Sequence, residues 1–153
     1  MKKRQKAMLI EVIVVVSITA FAVLAMMNFK DYINKSEATK SFYDLSSIIK
    51  NYKEKYGSIP PESYLQQIKD NLQGSLRLGG LQYRSRWIDF DSPPDTILAY
   101  TERNYRSPFV NSGYVVLRLN GQVQWMGKKE FKQIFATQQK PQEIELLKKE
   151  TFR

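Results

Sequence analysis

One acid stands where an acid is costly. Glu11 lies in "KAMLIEVIVVVSI", residues 6 to 18, within an apolar run from Ala7 to Met27 whose only other polar side chains are Ser17 and Thr19. A charged group near the centre of a bilayer costs roughly 2.5 to 3.5 kcal/mol, so a carboxylate kept there marks a functional position by default. The structural alternative is that Glu11, about 6 Å inside the run, reaches the interface or pairs with Lys6. Other chemistry-bearing residues are weaker. Asp89 and Asp91 sit two apart ahead of Ser92-Pro93-Pro94-Asp95, a spacing open to a carboxylate pair or a cation site, but acids leading into a proline turn are usually just solvated. Tyr83-Arg84-Ser85-Arg86-Trp87 and Arg103-Asn104-Tyr105-Arg106 interleave rings and cations as a base-stacking surface does. Half-buried strands on a basic head give the same letters, and no nucleic-acid partner is expected.

Composition closes off whole classes of chemistry. The 153 residues include no histidine and no cysteine, so Ser-His-Asp and Cys-His nucleophile systems and the common zinc sites cannot be built. Nor is a disulfide or any thiol chemistry possible. Gly79-Gly80 lacks the spacing and the lysine of a phosphate loop. The chain is therefore read as a non-enzyme, with no catalytic, cofactor-binding or metal residue. Its formal charge is +9, but Lys2, Lys3, Arg4 and Lys6 supply four of those units, which leaves the remainder mildly basic.

The elements that position Glu11 follow from length and patterning. Ala7 to Met27 would run about 32 Å as a helix, matching a hydrocarbon core of about 30 Å. A cleaved signal peptide competes, since a basic stretch precedes the run and Ala20-Phe21-Ala22 reads as a cleavage site. The run exceeds the usual apolar length of such signals, and an acid near its start is foreign to them, so the retained membrane helix is preferred. Basic residues 1–6 keep the N-terminus cytoplasmic and place the rest across the membrane.

No glycine or proline occurs before Gly57 and Pro60, so the helix is expected to continue. Ala38, Phe42, Leu45, Ile49, Tyr52 and Tyr56 recur at three-four spacing, one apolar face of an amphipathic half, residues 28 to 56. Gly57 suits a left-handed cap and Pro60-Pro61 forbids further helix. A short helix after Pro61 would turn Tyr64, Leu65, Ile68 and Leu72 inward and end at Gly74. From Gly79-Gly80 come extended segments at Leu81–Arg84, Trp87–Phe90, Ile97–Tyr100, Tyr114–Leu119 and Val123–Met126. Asn120-Gly121 is the strongest hairpin signal and predicts a type I′ turn. Lys129 to Thr137 then forms a small helix over one sheet face. Residues 57 to 137 make one small α+β head, and 138 to 153 a charged, marginally helical tail with no assigned role. The fold class is α+β: a long transmembrane-to-amphipathic N-terminal helix on a small antiparallel sheet.

These residues carry a resemblance. A basic leader, Leu9-Ile10-Glu11-Val12, and an apolar helix running into an α+β head resemble the type IV pilins and type II secretion pseudopilins. "YKEKYGSIPP" is similar to that family's helix-to-head junction, and "NSGYVVLRLNGQVQWMGKKEF" to the C-terminal hairpin of a subfamily carrying His, nine residues, then Asp-Gly-His-Val. The resemblance implies processing by a prepilin peptidase between Lys6 and Ala7. Ala7 and Glu11 then serve filament assembly, the carboxylate meeting a neighbouring subunit's freed amine. It implies partner subunits of the same kind, in a pilus or a secretion filament, and an inner-membrane, single-pass protein with its head periplasmic or extracellular. Departures are specific. Lys6 stands where the family's peptidase usually requires glycine, and Val110, Asn120 and Gln122 replace His, Asp and His, so no metal or polar network is carried over. An uncleaved membrane-anchored binding or scaffold protein is the alternative.

Overall fold

The computed structural model describes residues 3–68, 80–89 and 91–151. Helix α1 spans Lys3–Tyr56 as 54 continuous residues. It ends where expected: Gly57 takes φ +75° and its N–H closes the last turn on the Lys53 carbonyl at 2.8 Å. Helix α2, Glu62–Ile68, starts after Pro61, with Leu65 buried and Tyr64 and Ile68 half-buried. The expected roles of Leu72, Gly74, Gly79 and Phe90 fall outside the described residues.

Four strands form one antiparallel sheet in sequence order: β1 Leu81–Tyr83, β2 Ile97–Arg103, β3 Gly113–Arg118 and β4 Val123–Gly127. Helix α3, Lys128–Gln138, follows directly, and α4 covers Pro141–Thr151. The sheet is therefore the middle of three layers. Ala38, Phe42, Leu45 and Ile49 of α1 pack with Leu98, Ala99, Val115 and Leu117 on one face. On the other, Ile97, Val116 and Met126 meet Phe131 and Phe135 of α3, with Leu147 of α4 beside them. Strand β3 alternates as pleating demands, Val115 and Leu117 toward α1 and Val116 toward α3. Strand β2 does not: a register shift between Ile97 and Ala99 lets Leu98 and Ala99 share the α1 face.

Four local expectations need correction. Of the expected strand Trp87–Phe90, the described residues 87 to 89 are not extended sheet; Ser85–Trp87 is a 3₁₀ turn closed by Trp87 N–H on the Arg84 carbonyl, next to the buried Arg84 side chain. Tyr56 is 57% exposed, and its ring rests 4.5 Å from that of Tyr52 rather than in the core. Leu119 leaves β3 for the turn, its N–H held by the Thr96 carbonyl at 2.8 Å.

The hairpin is also not type I′. Asn120 has no positive φ; only Gly121 does, at +87°. Arg118 N–H pairs with the Gln122 carbonyl, and Gly121 N–H with the Arg118 carbonyl, so Leu119-Asn120-Gly121 is a three-residue loop with glycine at its left-handed position. Asn120 works through its side chain instead, Oδ1 accepting the Gln122 N–H at 2.9 Å.

Candidate functional site

The lower half of α1 carries the candidate site. The chain has a helix long and apolar enough to cross a membrane near its N-terminus, and none of that apolar window is covered by the head. Met8, Leu9, Ile10, Val12 and their neighbours as far as Met26 are exposed. Thr19 settles its hydroxyl inside the helix by donating to the Val15 carbonyl at 2.9 Å, the ordinary way a hydroxyl is accommodated in an apolar helix.

Glu11 is exposed in this window, and among the described residues its carboxylate makes no ion pair or hydrogen bond. Helical geometry explains part of this. Ala7 precedes Glu11 by four residues, one turn below on the same face. Lys6 precedes it by five, about 140° around the axis, and projects elsewhere, while Arg4, seven residues before it, lies two turns below on the same face.

The head grips α1 at three heights and the segment just after it at a fourth. Lowest, Asp31 Oδ2 accepts the N–H groups of Ser107 and Arg106 at 2.8 and 3.1 Å, and the Ser107 hydroxyl donates to Asn28 Oδ1. Just above, Lys35 Nζ stands 4.1 Å from the centre of the Trp125 ring, which also stacks on Tyr105. Higher up, the Ser46 hydroxyl donates to the Gly121 carbonyl at 2.9 Å, so the Asn120-Gly121 turn docks on the helix. At the top, Tyr83 Oη donates to the Pro60 carbonyl at 2.8 Å, and burial pushes that phenol's pKa well up. An open groove of about 340 Å³ lies beside the turn, with Ile49, Leu98, Leu117 and Leu119 on its floor and Lys50 and Lys53 on its rim.

The other sequence candidates have different roles. Arg84 is 2% exposed and spends its guanidinium on Glu143 and on the Ile97 and Gln138 carbonyls. It is thus unavailable as a cation on a stacking surface. Asp89 pairs with Lys140, and Asp91 is exposed two residues on. Sequence reading missed the Arg84–Glu143 pair, because Glu143 lies in a charged segment with no local signal of burial. No protein-family profile, curated protein or solved structure matches this chain.

Proposed function

We propose that this chain is a structural subunit, pilin-like or pseudopilin-like, which joins a filament through its N-terminal membrane helix, with Glu11 neutralised by a neighbouring subunit. One observation carries the reading: a 54-residue helix leaves its entire apolar half outside its own head, with one carboxylate, one turn above Ala7, that has no partner among the described residues. Side-by-side packing of such helices would bring a basic terminus of one chain to the acid of the next. The close contacts would use Ser17, Ala20 and Ala22 among bulky valines and isoleucines. In this reading a prepilin peptidase acts at Lys6–Ala7, the head lies outside the inner membrane, and the filament is a type IV pilus or a type II secretion-like assembly.

Glu11→Ala tests it. The variant is expected to insert in the membrane as well as the parent and to lose incorporation into filaments; unchanged incorporation overturns the proposal. Lys6 at the junction favours one second reading, an uncleaved anchor that carries a pilin-like head and does not polymerise. Intact mass of the protein from its own membrane separates the two, since a chain beginning at Ala7 belongs to the first and a chain retaining Lys2 to Lys6 to the second.

A further inference from the structure

The loop between β2 and β3, residues 104 to 112, reaches the point where the apolar run ends. Three bonds hold it there: the Arg106 and Ser107 N–H groups on Asp31, and the Ser107 hydroxyl on Asn28. Asn28 immediately follows Met27, the last residue of the run. The Phe109 N–H in turn rests on the Ser107 hydroxyl at 3.1 Å. A residue some 80 positions from the membrane helix is thereby fixed at the helix's exit level.

Phe109 is 77% exposed, more than any large apolar residue on the lipid-facing run itself. The helix supplies two more exposed rings at the same height, Phe29 and Tyr32, each at 68%. Exposed cations stand among them, Lys30 on the helix and Arg106 in the loop. Asp31, the one acid at this level of the helix, already accepts two backbone N–H groups. Rings and cations at the boundary of an apolar span match a headgroup layer, where rings sit among acyl and glycerol groups and cations meet phosphates. The patch is continuous with the apolar surface below it.

We propose that the β2–β3 loop is a second membrane contact, resting in the headgroup layer with Phe109 inserted and Arg106 and Lys30 facing lipid phosphates. This rests only on residues 7 to 27 spanning a bilayer and is independent of filament assembly. The head would then stand against the membrane in a fixed orientation while the protein is in the bilayer.

The absence of cysteine makes the test direct, since one introduced thiol is a unique labelling site. Full-length chains with Phe109→Cys, Phe21→Cys or Ser58→Cys carry a polarity-sensitive fluorophore in phosphatidylcholine vesicles, with or without phosphatidylglycerol. The label at 109 is expected to lose emission several-fold to a headgroup-borne nitroxide, more so in the anionic vesicles. The label at 58, at the far end of α1, should stay in water. A label at 109 as wet as that at 58, with the one at 21 in lipid, overturns the loop contact and leaves the span standing. A wet label at 21 overturns both. A signal at 109 that follows protein density instead of the quencher places a second copy over Phe109 and overturns the lipid contact.

Discussion

Arg84 and Glu143, 59 residues apart, face each other through two parallel bonds of 2.6 and 2.8 Å inside the head. Both residues are 2% exposed, and the guanidinium also lies 4.8 Å from the centre of the Phe135 ring. Gln138 completes the knot: its carbonyl accepts from Arg84, and its side-chain oxygen accepts the Ile97 N–H at 2.8 Å. Four elements, the end of β1, the start of β2, the end of α3 and helix α4, thus share one buried cation.

Breaking that pair from one side leaves a buried charge alone. Glu143→Ala is expected to cost about 3 to 5 kcal/mol, while the double variant Arg84→Met, Glu143→Leu retains most of the stability. Denaturant unfolding of the full chain in detergent, followed by tryptophan fluorescence, measures both. A loss below about 1 kcal/mol for the single variant would mean the pair behaves as a solvent-exposed one.

Gly113 is intolerant for a different reason. An added Cβ would come within 2.3 Å of the Met126 carbonyl and 2.9 Å of the Trp125 ring, so Gly113→Ala must push β3 from β4. We expect a loss of at least about 1 to 3 kcal/mol, with amide exchange accelerating first in the β3–β4 ladder. Unchanged exchange there would show that the ladder accommodates a methyl group.

At the hairpin, the two turn residues should separate cleanly. Gly121→Ala forces a side chain into the left-handed region and is expected to cost about 1 to 2 kcal/mol. Asn120→Ala removes one exposed hydrogen bond and should cost less, about 0.5 kcal/mol. Equal losses would restore a turn in which both residues need positive φ.

The Lys128 ammonium, 2.8 Å from Glu102 and hydrogen-bonded to it, holds that carboxyl below the usual carboxylate range. A carboxyl lowered in the folded state contributes stability above its unfolded pKa, and the contribution is lost as pH falls through the folded one. The pair is largely exposed, so the contribution is small. In Lys128→Gln the Glu102 titration midpoint, followed by carboxyl-carbon NMR, should rise toward the ordinary value, and the acid limb of the stability profile should flatten.

The long helix and its end were legible because their signals are local. Fifty-six residues without glycine or proline, the stripe from Ala38 to Ile49 and the Gly57 cap each act within a turn or two. Asn120-Gly121 predicted the hairpin, but the turn type depends on how Leu119 and Asn120 dock on Thr96 and Pro94, contacts more than 20 residues away. Arg84 was illegible for the same reason: in Tyr-Arg-Ser-Arg-Trp nothing distinguishes the buried arginine from exposed Arg86, which reaches Glu62 at the surface. Of the candidate site, Glu11 stood out by cost alone, whereas the loop that brings Phe109 down to Asn28 is a product of the sheet.

Helix α1 has no interruption between its apolar half and the head, and the head is fastened to it from Asn28 to Ile49. Rod and head are therefore one lever, and with residues 7 to 27 spanning a bilayer, as proposed, the membrane would be its fulcrum. The arm from Met27 to Tyr56 is about 44 Å, so a 10° change in tilt would swing its far end by about 8 Å. In that setting whatever set the lean of the rod, whether bilayer thickness or a neighbouring rod, would also steer where the head points.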